Sequence, residues 1–547
     1  MNFFPLTDEQ IICYEILTKD IRDMVEVISS KTNFVNGKFH FIQGKAGVGK
    51  TEFAKKLMCY CFSIGGIALG CAATALAATI YIDYGFETTH SLFKIPVNSD
   101  NDKDENEFQC KLDDESQRER NELLNETTLI IWDECCSNHT KIFESILNSK
   151  FGFKNTVVVC LGSYEQILPI LTNNPTKKDI LDSCLCKSSH WNLFQKHTFT
   201  KNKRIIENNI IIENKNAQQE FEIFVNALSC NNKLLDGVNA FGESNILFQK
   251  PLFNENNYEI PEEILKDIEY YKIRNLKIFE YDKTNEMDVF DNNLNKNVAN
   301  IMDFLYPDGF DNSDKINSYV VAATNEQIHF WNNEIQKNNK NRSYTLFSKN
   351  EFADIDDPYN NLKQLFLCEN LNEKLINHDV PVHKLVLKID DICLLSVNYY
   401  RKIGLTKNRK VIIKSIDYKK IAIVIAGKSN YNETDWIWIP RIKFRFRYNN
   451  GNSFAILRTQ FPLRLAYCLT YNKSQGQTCN RLILDTTYPP FSHGHFYVAI
   501  TRCRDYRNIA LFCTDDQIIK DDNSNIICAN LPNIMHKEIL QEYNSCI

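Results

Sequence analysis

The octet Gly-Lys-Ala-Gly-Val-Gly-Lys-Thr at residues 44–51 restricts the fold of this chain more than any other stretch. It satisfies the pattern G-x-x-x-x-G-K-[ST]. Before it, FHFIQ (39–43) reads as a buried strand, and a helix is expected to start near Lys50. That context is what a phosphate cradle needs. Glycines let backbone amides turn inward on phosphate oxygens, and the helix N-terminus adds partial positive charge. The cradle would run through Gly44, Lys45, Ala46, Gly47, Val48, Gly49, Lys50, Thr51 and Glu52. Lys50 would reach the β- and γ-phosphates of a nucleotide, and the Thr51 hydroxyl would bind Mg²⁺. Only 18 glycines occur in the chain, and three of them fall between 44 and 49, which argues against a chance turn.

Other short apolar runs fit the same sheet. GIALGCAA (66–73), TLIIW (128–132) and TVVVCL (156–161) read as central parallel strands alternating with helical stretches, so the expected class is α/β. Asp133 and Glu134 end one of these runs. Asp133 can hold Mg²⁺ through its hydration shell and Glu134 can polarise an attacking water. VVVCLGSYEQILPI (157–170) ends in a polar loop where Gln166 could sense the γ-phosphate. These motifs together point to nucleotide hydrolysis.

A P-loop kinase would be complete in roughly 200 residues, but this chain has 547. SYVVAATN (318–325), AYCLT (466–470) and IALFC (509–513) resume the α/β style after a region of mixed character. The turn Thr470–Gly476 again resembles a phosphate-facing loop at a strand end. Arg502 follows the apolar stretch YVAIT, and Arg204 lies in FTKNKRI. Two arginines from a facing lobe could complete a nucleotide site as fingers. A nucleotide in such an interface would couple lobe closure to hydrolysis, the design of a nucleic-acid motor.

At this point the motifs carry a resemblance. LTDEQ (6–10), GKAGVGKT, CAATALAA (71–78) with THSLFKIP (89–96), IIWDE, GSYEQILPI, TKNKR, AATNEQ (322–327), VHKLVLKIDDICLL (382–395), FPLRLAYCLTYNKSQGQT (461–478) and FSHGHFYVAITR (491–502) occur in this order. They resemble a superfamily-one DNA helicase of the Pif (petite integration frequency) family, related to bacterial RecD and especially similar to the branch of Helitron-type transposons and large DNA viruses. The resemblance implies two RecA-like P-loop NTPase lobes with a small SH3-like β domain inserted in the second. The boundaries expected are 1–190 for the first lobe, with a wedge-like insertion around 95–126, then 191–384 and 454–547 for the second, and 385–453 for the insert. It implies ATP and Mg²⁺ as cofactors, single-stranded and forked DNA as partners, and 5′-to-3′ unwinding in replication, repair or recombination. Gln10 would read adenine, Gly476 would line the nucleotide site, and Thr74, His90, Asn325, Thr470 and Lys473 would contact the strand. The family's third motif usually reads Gly-Asp-x-x-Gln. Here Ser163 replaces the acid, and Glu165 stands where a basic residue is common, which bears on coupling more than on hydrolysis.

DNA also needs local cations, because the formal net charge is −6. Residues 399–414 carry six basic residues and no acid. In PRIKFRFRY (440–448), Arg441, Lys443, Arg445 and Arg447 alternate with Ile442, Phe444, Phe446 and Tyr448. One face of a strand would thus present four cations to phosphates; the competing reading is a charged, solvated edge. The 19 cysteines contain no Cys-x-x-Cys and read as reduced core thiols. An intracellular, reducing location follows, the nucleus (of the host, for a viral protein) before the mitochondrion. The uncharged run Leu57–Ile82 is long enough to span a bilayer, but Gly65 and Gly66 divide it into a helix end and a strand, so no membrane partner is expected. The reading from another class is a nucleic-acid-binding ATPase scaffold with weak or no unwinding.

Overall fold

The computed structural model describes residues 5–30, 35–96, 108–171, 175–201, 212–230, 242–245, 268–274, 276–281, 290–310, 313–353, 380–427, 431–450 and 452–544. The first unit is built on a six-stranded parallel sheet. Its strands are β1 (Lys38–Gly44), β2 (Ala68–Ala72), β3 (Glu87–Thr88), β4 (Leu129–Asp133), β5 (Val157–Gly162) and β6 (Phe194–Phe199), in the order β3-β2-β4-β5-β1-β6. β4 and β5 are buried along their whole lengths, as expected for strands covered on both faces. Helices α1 (Asp8–Ser30) and α2 (Lys50–Ser63) cover one face. Cys13, Leu17, Ile21 and Met24 recur at helical spacing and meet Phe53, Leu57 and Cys61 over Ile131 and Val159. Trp132, Phe143, Tyr164 and Trp191 fill the other face.

The uncharged run resolves as foreseen. It comprises the end of α2, strand β2 and a short helix over Ala75–Thr79. Among the described residues, no helix is long and apolar enough to cross a membrane. The first unit runs past residue 190, because β6 pairs with β1 as an edge strand. Of the stretch around 95–126, residues 97–107 lie outside the described residues, and Arg118–Asn125 forms a short helix.

A second parallel sheet of five strands orders Cys468–Thr470, Ser318–Ala322, Arg481–Asp485, Ile509–Thr514 and Lys277–Tyr281. Helix Asn325–Lys337 leaves its second strand through a capping box made by Thr324 and Gln327. A four-stranded antiparallel sheet lies beside it, from Gly242–Asn245, Ile268–Ile273, Ile518–Lys520 and Ile526–Ile534.

The antiparallel insert is wider than 385–453. Its first strand, Ser343–Phe347, pairs with Lys384–Lys388, and its last, Leu463–Leu465, closes on Ile392–Leu395. Both flanking strands contribute to one apolar core with Leu346, Leu387, Val411, Ile423 and Leu463, so they belong to it physically. A long hairpin, Ile442–Asn450 with Asn452–Gln460, extends from it and pairs with Lys349–Phe352.

The last residues do not stay with the second sheet. Met535, Ile539 and Leu540 pack into the first unit's core, and Lys177 pairs with Glu538 at 2.8 Å. Their apolar side chains join Leu185 and Cys186 in that core.

Candidate nucleotide and nucleic-acid site

The cradle residues lie at the carboxyl end of β1, where open α/β sheets place ligands. Gly49 precedes α2 with φ 86°, a left-handed conformation that costs a side-chain-bearing residue about 1–2 kcal/mol. Lys50 is half-buried. Its ammonium donates to the Gly44 carbonyl and, at 3.2 Å, to the Lys45 carbonyl. Burial lowers its pKa, and the charges of Asp133, Glu165 and Glu134 oppose that. Gln10 is fully buried at the start of α1. Its amide nitrogen donates to Val48 O at 2.9 Å and its oxygen accepts from Thr7 N at 3.2 Å, so the side chain pins the loop itself.

Asp133 ends β4 and is buried; desolvation raises its pKa, while Tyr81 and Lys50 pull the other way. The Tyr81 hydroxyl donates to Asp133 Oδ2 at 2.7 Å, and Thr51 beside it pulls the Tyr81 pKa down against the burial that raises it. A hydroxyl and a carboxylate are thus gathered at one point, a hard-oxygen donor set that fits Mg²⁺. Glu134 adopts φ 51° and ψ 34°, unusual for a residue with a side chain, which turns it away from the strand direction. Burial and the neighbouring Asp133 push its pKa up to about 7, against the pull of Arg502, Lys50 and Gln475.

The second sheet meets these groups from the other side. Gln475 Nε2 donates to Gln166 Oε1 at 3.3 Å, and Gln475 also pulls the Glu134 pKa down. Gly476 follows, 3.8 Å from Glu134 Oε1 at the position its β-carbon would take. His493 Nε2 lies 2.8 Å from Tyr164 O, and its Nδ1 accepts from His536 N at 2.8 Å, linking both units and the returning C-terminal segment. A β-carbon on Gly494 would sit 2.7 Å from Glu165 O, so only glycine permits this approach. Arg502 is buried behind the same turn. It donates to Val498 O at 2.7 Å and Thr501 Oγ1 at 2.9 Å, and its charge is felt by Glu134. Arg204 lies outside the described residues. Thr200 and Lys201 just before it are held by Glu9 at 2.9 Å through their backbone amides.

The strand-contact candidates share one architectural position. Thr74 caps the helix after β2, Thr470 caps the turn after its strand, and Asn325 opens the helix after Ser318–Ala322. Lys473 N donates to Thr470 Oγ1 at 3.1 Å, which closes that turn. His90 is half-buried, with its pKa lowered by desolvation. Beside it, Ser91 Oγ receives Arg401 Nη1 at 2.8 Å, so the basic stretch of the insert touches the first unit here.

The four-cation strand needs correction. Arg441 precedes the hairpin strand, and its guanidinium donates to Phe347 O and Gln460 Oε1, both at 2.8 Å. It also lies 4.5 Å from the Phe461 ring centroid and is partly desolvated. The carbonyls and ring at the base of the hairpin hold it, so it is a structural cation. Lys443 and Arg445 do alternate as exposed residues with buried Phe444 and Phe446. The side chain of Arg447 lies outside the described residues.

Tyr81 was invisible in the sequence, lying in an uncharged run where a tyrosine reads as core. Gln475 stood within a recognised turn, but its partners come from the other sheet. A faint signal existed for Glu165, an acid where the resemblance makes a basic residue common.

Comparison with known proteins agrees with this geometry. Residues 16–233 match the family model described as PIF1-like helicase. A 56-residue stretch is 38% identical to the ATP-dependent DNA helicase Pif1 of Campylobacter jejuni, covering 10% of this chain and 12% of that protein. Another of 73 residues is 36% identical to the ATP-dependent DNA helicase PIF7 of Trypanosoma brucei brucei, covering 13% of this chain and 7% of that one. Over whole chains, the crystal structure of Pif1 helicase from Candida albicans aligns with a TM-score of 0.55 at 15% identity, covering all of both chains. Pif1 helicase from Bacteroides in complex with ADP-AlF3 and single-stranded DNA aligns with a TM-score of 0.52 at 18% identity, covering 96% of each. The chain therefore has the Pif1-helicase fold along its length, and its residues 16–233 carry the sequence pattern of the PIF1-like helicase family.

Proposed function

We propose that this protein is an ATP-dependent DNA helicase that tracks along single-stranded DNA and unwinds forked duplexes 5′ to 3′, in replication, repair or recombination. The two parallel sheets are read as RecA-like lobes and the antiparallel insert as an SH3-like domain. One observation carries the reading: Glu134 and Gln166 of the first sheet meet Gln475 of the second at the seam where the cradle opens. A hydrolase that acts alone needs no such seam; a motor uses it to turn hydrolysis into relative movement of two grips.

In this reading Lys50 leaves the loop carbonyls for the phosphates when ATP enters. Glu134, poised near neutrality by burial, takes the proton of the attacking water. Mg²⁺ held by Thr51 and Asp133 would neutralise phosphate charge. Gln166 and Gln475 report the γ-phosphate to both sheets, and Arg204 and Arg502 supply transition-state charge stabilisation. Thr74, His90, Asn325, Thr470 and Lys473 would hold the strand across both lobes, with Lys443 and Arg445 on the insert.

The test is ATP hydrolysis with and without single-stranded DNA, then unwinding of 5′-tailed, 3′-tailed and forked duplexes, with Lys50→Ala as the inactive control. Strand-stimulated hydrolysis and unwinding of the 5′-tailed and forked substrates are expected. Hydrolysis that ignores DNA, with no unwinding of any substrate, would refute the reading.

A further inference from the structure

Glu165 is a buried carboxylate, 4% exposed, beside the cradle. Among the described residues it makes no ion pair. Its Oε2 accepts from the Ser163 hydroxyl, and its Oε1 accepts from Gln43 Nε2 at 3.3 Å. Gln43 immediately precedes Gly44, whose carbonyl receives the Lys50 ammonium. The charges of Asp133, Glu165 and Glu134 all favour the charged form of Lys50. A buried charge of this kind is costly unless an opposite charge offsets it, and Lys50 is the cation placed to do so. The backbone of Glu165 is fixed too. Gln166 N donates to Ser163 O at 3.3 Å, and Gly494, the N-cap of helix His495–Ile500, closes on the Glu165 carbonyl. The next side chain is Gln166, bonded to Gln475.

We propose that Glu165 is a third working carboxylate of the nucleotide site, a positioning residue that braces Lys50 through Gln43 and sets the turn presenting Gln166 to Gln475. Because the Ser163 hydroxyl already touches the carboxylate, the same charge can be supplied from position 163. This inference rests on the reading of the site as an ATPase.

Four proteins test it: wild type, Glu165→Gln, Ser163→Asp with Glu165→Ala, and Glu165→Ala alone. Steady-state hydrolysis gives kcat and KM, and a fluorescent ATP analogue gives affinity. Glu165→Gln keeps the shape and loses the charge. It should lower kcat roughly 10-fold, the lower end of the effect of removing a group that orients a working residue, with KM changed less. Glu165→Ala should fall further, and the swapped pair should recover most of that loss. Melting temperatures supply a second readout. In a Lys50→Ala background the offsetting cation is gone, so Glu165→Gln should raise the melting temperature there and leave it level or lower it in the wild-type background. Wild-type kcat in Glu165→Gln, or the same melting shift in both backgrounds, would overturn the proposal. A wild-type protein with no ATP hydrolysis would instead overturn the ATPase reading.

Discussion

Single side chains decide how the nucleotide site is held before any ligand arrives. Tyr81 holds Asp133 through its hydroxyl, beside Thr51, and its ring stacks on Phe86 with centroids 4.0 Å apart. Tyr81→Phe keeps the stack and removes the hydroxyl. The expected result is a loss of roughly 10- to 100-fold in kcat or in apparent Mg²⁺ affinity, the range for groups that orient a metal ligand; a magnesium titration of hydrolysis reads it. His495 shows how burial sets charge. It stacks on Tyr471 with centroids 4.9 Å apart and its Nε2 lies 3.1 Å from Asn472 Oδ1. Burial lowers its pKa from 6.5 to about 3. Between these values the unfolded chain binds a proton that the folded chain refuses, so stability rises with pH in that window. The stabilising contribution is complete above about 6.5 and falls away below it by up to about 1.4 kcal/mol per unit. Denaturant unfolding between pH 6.5 and 5 should show a shallower pH slope in His495→Gln than in the wild type, whatever the variant's absolute stability. Equal slopes would mean that His495 is protonated in the native state.

At the scale of elements, the hairpin Ile442–Gln460 separates a structural cation from solvent-facing ones. Strand alternation buries Phe444 and Phe446 and exposes Lys443 and Arg445, while Arg441 is consumed at the base of the hairpin. If this face tracks DNA, neutralising Lys443 and Arg445 together should weaken single-strand binding similarly for all sequences, since phosphates carry no base identity. The slope of log affinity against log salt should flatten by roughly 0.7 for each phosphate that is no longer neutralised. Hydrolysis without DNA should stay at its basal rate. Titrating labelled oligonucleotide at several salt concentrations measures this, and an unchanged slope assigns the face to edge protection.

At the scale of the whole molecule, the contacts between the two units include Gln475 on Gln166, His493 on the Tyr164 carbonyl, Gly494 against the Glu165 carbonyl, Ile167 packed with Tyr497 and Val498, and the C-terminal segment docked on the first core. Arg502 stands behind this seam with donors on Val498 O and Thr501 Oγ1 beside it in sequence and on Gln477 O at 3.5 Å. To act on phosphate it must exchange those carbonyls for the nucleotide as the seam closes. Arg502→Ala should therefore lower kcat by roughly 10³–10⁵, the range for arginine fingers, and alter ATP affinity far less. Near-normal turnover in that variant would mean that the guanidinium only braces the helix it caps.

The sequence by itself determined whatever depends on local pattern. The loop 44–51, the acids at 133 and 134 and the β-branched strands are legible because their chemistry requires fixed spacing along the chain. Strand alternation likewise foretold which way Lys443 and Arg445 face, and the glycines at 65 and 66 foretold the break in the uncharged run. Only the tertiary structure decided which distant groups share a point. Nothing local marks Tyr81 as the hydrogen-bond partner of Asp133, or Glu165 as a neighbour of Lys50. Nor does anything local mark Arg441 as already spent, or residues 535–540 as part of the first core. Those roles arise where strands far apart in sequence end side by side, and burial there sets charge and partners by distance through space, which a one-dimensional pattern does not encode.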